Sequence, residues 1–451
     1  MAGIYKGYDI RGIVPQDLND ETAYKIGVAF ASLNKPKEVI IANDMRKNGI
    51  SLKAQLILGL TSMGVNVVDM GLATTPMFYY AAKNYDAGLI ITASHNPAEY
   101  NGCKMCLRGA KALTYESGIK KIEEFVNNWG EEAIKKQQET LEPGTIIQRD
   151  YLEEFMNFSL SFLEITKPVN LIMDAGNGMS SLTYNELERK TNLIKIEKMF
   201  FERDGSFPNH EANPMKEEAL TEIQKRIKEN PGKYKLGIVT DGDGDRCVFV
   251  DEKGEAIRAD YITAIIAEKL LKKNPGRTIL YDLRSSNSVR EHIQEKGGKP
   301  LMTRVGHSYI KEIMLKENAL FGGELVGHFY PLETNTTENT LYCLFQILNL
   351  LEEKKVTLSS LVNPLRKYSY SGEINTKVES DEKALVVLNK LKTKYSKGKL
   401  IEIDGVRIDY EDFWFSVRKS NTEPVIRLIV EAKTEEIMEK KRDEILGIIR
   451  N

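Results

Sequence analysis

A chain of 451 residues, 41% hydrophobic and 28% charged, has the composition to bury several cores, and about 150 residues per domain allows three or four of them. Lysine plus arginine (63) nearly balances aspartate plus glutamate (65), for a net charge of −2. That excludes the broad basic excess of a general nucleic-acid or membrane-surface binder.

No apolar run approaches the ~20 residues of a spanning helix, and the start Met1-Ala-Gly-Ile-Tyr-Lys lacks a secretory apolar stretch. The expectation is a cytoplasmic protein with no nucleic-acid and no membrane partner. In chain order, the hydrophobic pattern predicts helices over 21–34, 52–63 and 75–85 and strands over 38–43, 65–69 and 88–93. Apolar strands alternating with helices are the signature of α/β layers. Residues 130–150 are polar, contain Glu142-Pro-Gly144 and read as a linker. The alternation restarts with helices over 151–162, 181–190 and 216–229, strands over 169–173 and 193–199, and an apolar run over 235–240. A helix over 260–273 opens a third round, with strands over 278–281, 300–303 and near Leu320. From Ser371 the pattern changes to a strand, a helix over 382–395, three strands within 401–432 and a helix over 435–449.

Each of the three rounds ends in an apolar strand that feeds a polar or glycine-rich loop: Thr92-Ala-Ser94-His, Thr240-Asp-Gly-Asp-Gly and Phe321-Gly-Gly-Glu324. Open α/β sheets bind ligands at the carboxyl ends of their strands. The expected fold is therefore α/β: three consecutive mixed α/β domains of similar topology plus a smaller C-terminal α+β domain, around one central active-site cleft. The expected divisions are 1–145, 146–252, 253–366 and 367–451. Four cysteines make no disulfide framework. Cys103 and Cys106 have C-x-x-C spacing, but on the strand expected there they point to opposite faces, and Cys247 and Cys343 are isolated. Zinc and redox chemistry are set aside.

Asp241-Gly-Asp-Gly-Asp245-Arg246 is the sharpest local signal. Alternate carboxylates in a tight glycine loop can converge on one hard cation. An EF-hand fits in part, with Asp241, Asp243 and Asp245 at its first, third and fifth positions and Glu252 at its twelfth. Arg246 replaces the glycine required at the sixth, and the flanks are strands. A phosphohydrolase with an aspartate nucleophile would carry Thr or Val where Asp245 stands, and the plain alternative is a solvated acidic turn. Three carboxylates this close repel one another unless a cation neutralises them, which favours a metal.

Thr92-Ala-Ser94-His-Asn-Pro97 followed by Asn101-Gly-Cys-Lys104 is, alone, an ordinary polar turn. Beside a metal, however, its serine can accept and return a phosphoryl group, because that transfer relies on positioning and charge neutralisation. No G-x-S-x-G elbow surrounds Ser94, which disfavours a Ser-His-Asp protease. Asp174-Ala-Gly-Asn-Gly178 opens like a dinucleotide fingerprint but has Ser181 at the third glycine position, so it reads as a structural turn. Arg418-Lys-Ser-Asn-Thr-Glu-Pro424 can offer a guanidinium fork, hydroxyls and backbone N–H groups to a phosphate dianion, or can be a capped hairpin loop.

Together these segments resemble the α-D-phosphohexomutase family over essentially the whole chain, most closely its phosphomannomutase/phosphoglucomutase branch. The matching motifs are T-A-S-H-N-P with N-G-x-K at Thr92–Lys104, D-G-D-G-D-R at Asp241–Arg246, G-G-E-x-S-G-H at Gly322–His328 and R-x-S-N-T-E-P at Arg418–Pro424. The early Tyr8-Asp-Ile-Arg11-Gly matches as well. The resemblance implies an isomerase that moves phosphate between the 6- and 1-positions of a hexose, mannose or glucose, through a phosphoserine and a bisphosphorylated sugar.

By that resemblance Ser94 carries the phosphoryl group and completes a Mg²⁺ site with Asp241, Asp243 and Asp245, while Arg11, Lys104 and Arg246 neutralise charge. Lys104 and His307 are candidates for moving the hydroxyl proton. Tyr8, Arg284, Glu324 and His328 would bind the sugar, and Arg418, Ser420, Asn421 and Thr422 its other phosphate. A bisphosphorylated hexose such as glucose 1,6-bisphosphate would be the activator, and small-molecule sugar phosphates the only partners implied. Arg284 stands where the family often has Lys. Val326 replaces the sugar-loop serine, Leu325 offers nothing polar in exchange, and Thr337-Glu-Asn339 stands where relatives commonly carry an Asp pair. A phosphoglucosamine mutase or a metal-dependent sugar phosphatase is the alternative.

Overall fold

The structure, a computed structural model, describes residues 3–419 and 425–450. The chain divides into two compact units, Met1–Ala259 with Val326–Ser359 and Asp260–Leu325 with Ser360–Asn451. Each is layered α/β. In the first unit, the buried apolar runs Glu38–Asn43 and Ala87–Ile91 pair in parallel at the centre of a mixed sheet. A strand buried on both faces reads as a continuous hydrophobic run rather than an alternating one. The sheet order is Ile10–Ile13, Tyr100–Leu107, Ala87–Ile91, Glu38–Asn43, Asn66–Leu72 and Ile146–Gln148. Helix Asp20–Asn34 starts where the Asn19 side chain accepts from Thr22 N at 3.0 Å. It packs tightly on helix Gly49–Ser62: a Cβ at Gly59 would lie 2.4 Å from the Tyr24 carbonyl.

A second sheet of this unit runs Ala256–Ile257, Cys247–Val250, Leu236–Thr240, Val169–Asp174 and Ile194–Met199. Leu236–Thr240 is parallel to Val169–Asp174 and antiparallel to Cys247–Val250, with Thr240 opposite Cys247. The acidic loop is therefore a hairpin connection at the carboxyl end of a central strand. Asp174-Ala-Gly-Asn-Gly178 is a turn, with Asn177 in the left-handed region at φ 55°.

In the second unit, Thr278–Asp282 pairs in parallel with Lys299–Thr303 and Phe321–Gly323. A separate antiparallel sheet runs Ser369–Tyr370, Val425–Ala432, Phe413–Lys419, Val406–Asp409 and Lys399–Ile401, with Ile374–Lys377 also on Val425–Ala432. Helices Asp381–Lys394 and Glu435–Arg450 cover it. The fully buried Arg407 ties the two sheets of this unit together. It donates to the carbonyls of Leu283 (2.6 Å) and Ser285 (3.4 Å), to Asn287 Oδ1 (2.9 Å) and to Asp409 Oδ1 (2.8 Å), and lies 3.7 Å above the Trp414 ring.

One expectation needs correcting. Residues 130–150 are not a bare linker: they form helix Glu131–Gln138 and the strand Ile146–Gln148, parallel to Asn66–Leu72. The first sheet thus extends past the division drawn at 145. The helix hides in its composition because only Ile134 is buried, while acidic Glu131 and Glu132 open it and Lys135 pairs with Glu131 at 2.8 Å. Within 401–432 the three expected strands are Val406–Asp409, Phe413–Lys419 and Val425–Ala432, and a short strand, Lys399–Ile401, pairs with the first of them. All four cysteines are buried free thiols. Among the described residues, no helix is long and apolar enough to cross a membrane.

Removing Arg407 leaves two buried carbonyls and Asp409 without their cation. Arg407→Ala should destabilise the chain by about 3–5 kcal/mol, seen as a lower urea midpoint in equilibrium unfolding.

Candidate active site

Ser94 follows the strand Ala87–Ile91 in the left-handed region, at φ 52°. A non-glycine residue there costs on the order of 1–3 kcal/mol and persists only where its surroundings dictate it. Its N–H donates to Thr92 Oγ1 at 2.9 Å and its Oγ donates to Asp241 Oδ2 at 2.8 Å. His95 Nδ1 lies 3.3 Å from the same oxygen. Burial, with Arg246 and Arg11 nearby, pushes His95 well below the usual histidine range, so the ring is neutral. Arg11 donates to Asn96 Oδ1 at 2.7 Å and also to Asp9. Burial alone would lower its pKa, but Asp9 and Asp243 outweigh that and raise it. Tyr8 is half-buried just before the strand Ile10–Ile13.

Asp241, Asp243 and Asp245 are all buried, with carboxylate oxygens within 4.8 Å of one another. The loop closes on itself: Gly244 N and Arg246 N both donate to Asp241 Oδ1 at 3.1 Å. Gly242 is required by close approach, since a Cβ would sit 2.6 Å from the Ser94 carbonyl. Lys104 reaches in from the strand Tyr100–Leu107, where it is opposite Ile90. Its ammonium donates to Asp243 Oδ2 (2.7 Å) and Asp245 Oδ2 (2.5 Å). Burial alone would lower Lys104, but Asp243 and Asp245 outweigh it and raise it, so the cation is kept. Arg246 Nε donates to His328 Nε2 at 3.1 Å, and that nitrogen is 3.3 Å from Asp245 Oδ1. Cys247 N donates to the Gly327 carbonyl at 3.1 Å, which sets His328 beside the loop.

The second unit holds the other described candidates. Asp282 grips Arg284 in a fork, accepting from Nη2 at 2.6 Å and Nε at 3.2 Å. Glu324 Oε1 accepts from Gly306 N at 2.9 Å, tying the loop after Phe321–Gly323 to the segment that begins helix His307–Lys316. His307 is buried at its first position. Arg418 donates to Glu373 Oε2 at 3.4 Å, and its cross-strand partner Arg427 donates to Glu373 Oε1 at 3.0 Å. Burial would raise Glu373, but Arg284, Arg418 and Arg427 outweigh it and lower it. Ser420, Asn421 and Thr422 lie outside the described residues. Thus Ser94, the three aspartates, Lys104, Arg11, Arg246 and His328 come together in the first unit, and Arg284, Glu324 and Arg418 in the second.

Three residues here carry no motif of their own. Thr75 donates to Asp243 Oδ2 at 2.7 Å from the first residue of helix Thr75–Ala82. Arg46 holds the carbonyl side of the serine loop. Glu373 gathers three arginines. For Arg46 a signal existed, because Asp44 and Arg46 directly follow the apolar strand Glu38–Asn43. A lone glutamate after Gly372 offers none. Asn339, in the segment Thr337-Glu-Asn339, is a helix cap that accepts from Tyr342 N at 2.9 Å.

The aspartate loop suits a divalent cation. Burial and then its neighbours Asp245 and Asp243 push the Asp241 carboxyl well above the carboxylate range, a repulsion that a metal would relieve. Asp243 Oδ1 is buried without a hydrogen-bond partner. An all-oxygen donor set of this kind matches Mg²⁺ or Mn²⁺. Titration of Mn²⁺ into the protein, followed by electron paramagnetic resonance, should show tight binding that Asp243→Asn weakens at least about tenfold, since even loss of an outer-sphere partner costs 10–100-fold.

Comparison with known proteins agrees in order along the chain. Residues 3–133, 149–254 and 258–368 match the family profiles described as phosphoglucomutase/phosphomannomutase α/β/α domains I, II and III, and residues 373–448 match that family's C-terminal domain. A phosphomannomutase of Methanocaldococcus jannaschii is 37% identical over 449 residues, covering 99% of this chain and 97% of that protein. A protein of Xanthomonas campestris named as phosphohexose mutases is 33% identical, with 99% of each covered. The crystal structure of a phosphoglucomutase/phosphomannomutase family protein from Burkholderia thailandensis superimposes with a TM-score of 0.89 at 30% identity, over 99% of this chain and 97% of that one.

Proposed function

Because this chain belongs to the phosphoglucomutase/phosphomannomutase family and is a phosphohexomutase, an isomerase, we propose that it interconverts the 6- and 1-phosphates of mannose and glucose with Ser94 as the phosphoryl carrier. The observation that carries the reading is the Ser94 hydroxyl 2.8 Å from Asp241, in a loop whose other two carboxylates hold Lys104.

In the resting enzyme Ser94 is phosphorylated. A hydroxyl of the bound hexose monophosphate attacks phosphorus, the bond from phosphorus to Ser94 Oγ breaks, and the sugar leaves the first step bisphosphorylated. After reorientation Ser94 Oγ attacks the other phosphate, and the product departs as the isomeric monophosphate. Mg²⁺ bound by Asp241, Asp243, Asp245 and the Ser94 phosphate would neutralise charge on the phosphoryl oxygens. Arg11, Lys104 and Arg246 supply fixed positive charge to the same group, the main protein contribution in phosphoryl transfer. Of the candidates for moving the hydroxyl proton, Lys104 keeps its own proton beside Asp243 and Asp245 and so can only donate one, whereas His307 can accept it, and the His95 ring nitrogen, 3.3 Å from Ser94 Oγ, can serve that oxygen. Glu324 and His328 would hold sugar hydroxyls, with Tyr8 and Arg284 nearby in role. Arg418, Ser420, Asn421 and Thr422 would hold the phosphate that is not being transferred. Glucose 1,6-bisphosphate or its mannose counterpart would recharge any Ser94 that has lost its phosphate.

Intact-mass measurement should find part of the wild-type chain heavier by one phosphate, and Ser94→Ala should lose both that species and turnover. Retention of wild-type-like mutase activity by Ser94→Ala would sink the carrier assignment.

Specificity follows from which hydroxyls are gripped. Glucose and mannose share the arrangement of O3 and O4 and differ in the direction of O2, so a loop that acts through Glu324 treats them alike. Assayed side by side with a bisphosphate activator, glucose 1-phosphate and mannose 1-phosphate should both turn over, and Glu324→Ala should slow both by similar factors. Each hydrogen bond missing at Val326 weakens sugar binding by about 0.5–1.5 kcal/mol, so Val326→Ser should lower KM for both. A thousandfold preference for one epimer would show instead that O2 is read directly.

A further inference from the structure

We propose that Arg46 is the positioning residue that holds Ser94 in its left-handed conformation and thereby aims the nucleophilic oxygen at the aspartate loop. The inference rests on the reading of Ser94 as phosphoryl carrier.

The Arg46 side chain is buried, and its two terminal nitrogens donate to four carbonyls of one short segment. Nη1 donates to Pro97 O (2.7 Å) and Tyr100 O (3.0 Å), and Nη2 to Ser94 O (3.0 Å) and Asn96 O (2.6 Å). Asp44 Oδ2 lies 3.3 Å from its Nε and compensates the charge. The Phe207 ring, 4.9 Å from the guanidinium carbon, packs against it. A planar fork with donors in fixed directions can make four convergent carbonyls lie in one plane. With the carbonyl of Ser94 fixed in this way, the torsions on both sides of its Cα have little freedom. The opposite side of the residue is held by the bonds of Ser94 N to Thr92 and Ser94 Oγ to Asp241. Gly242, which has no side chain, leaves room for the Ser94 carbonyl beside the metal loop. Arg46 itself touches no reacting atom, so its effect is on where Ser94 Oγ stands.

A lysine at 46 keeps the charge but loses the plane: its compact ammonium has three rotatable donors and cannot span four carbonyls. A misplacement of about 1 Å can cost 10²-fold in rate. A cavity of about 550 Å³ borders the site, lined by Asn43, Asp44, Met45, Arg46, Phe201 and Arg203 among others. It gives a small guanidinium ion a path to the space that a truncated Arg46 would leave.

The experiment compares full-length wild type, Arg46→Lys and Arg46→Ala for kcat, KM, thermal unfolding, and activity with added methylguanidinium. The expected result is a kcat lowered about a hundredfold in folded Arg46→Lys, with KM changed less than about threefold. Methylguanidinium should restore activity in Arg46→Ala and leave Arg46→Lys and wild type unchanged. If Arg46→Ala does not fold, the kcat-against-KM split in Arg46→Lys decides. Wild-type kcat in folded Arg46→Lys, or losses that only follow the unfolded fraction, would overturn the proposal. Turnover in Ser94→Ala is the separate control: activity there sinks the carrier reading, whereas full kcat in Arg46→Lys sinks only the role of Arg46.

Discussion

Burying three carboxylates in one six-residue loop is the constraint on which the rest of the first unit depends. Oxygens within 4.8 Å of one another repel by about 3 kcal/mol per pair at an effective dielectric of roughly 20. No hairpin would hold that without cations at hand. Lys104 answers two of the acids directly, and Arg246 stands beside them on His328. The strand Tyr100–Leu107 pairs antiparallel with Ala87–Ile91 so that Lys104 arrives at the end from which the serine loop leaves. One end of the sheet thus delivers both Ser94 and the charge that makes its acidic neighbours tolerable.

The second unit shows the opposite sign of the same problem. There the surplus is positive: Arg284, Arg418 and Arg427 are gathered around Glu373. Burial, with Arg284 close by, lowers Arg418 below the ordinary arginine value, so an anion beside it is favoured. Around Glu373 itself three guanidiniums share one carboxylate, while Asp282 holds Arg284 from the other side; forks of this kind offer paired donors to the oxygens of an anion.

How much of this could be read from the sequence depends on whether a residue's task is local. The glycine-spaced aspartates and the Ser94 turn are local, since their neighbours in sequence are their neighbours in space. The strand over 38–43 was legible because burial on both faces leaves a continuous apolar run. The helix Glu131–Gln138 was not, because one buried residue in eight leaves no periodic stripe. The place of Arg46 after an apolar strand marks it as a candidate, but its partners, like those of Glu373, lie some 45 or more residues away, and no spacing rule reaches that far. The α-D-phosphohexomutase resemblance located Arg284 as a candidate, yet the Asp282 fork that fixes its direction is visible only in three dimensions.

The same distinction changes what the departure at Leu325 means. As a sequence feature it offers nothing polar in exchange for the serine that Val326 replaces. In the fold its side chain is buried against Trp414 and Ile429, while its N–H donates to Asp282 Oδ2 at 2.8 Å, the oxygen that also accepts from Arg284. Trp414 is itself held by Glu431 through its ring N–H at 2.7 Å. The residue directly after Glu324 is thus pinned on two sides, by an apolar contact and by a backbone bond to the acid that aims Arg284. Glu324 is held as well, by Gly306 N. A buried leucine therefore serves the loop as an anchor: it gives up a possible contact to ligand and fixes the direction of the glutamate before it.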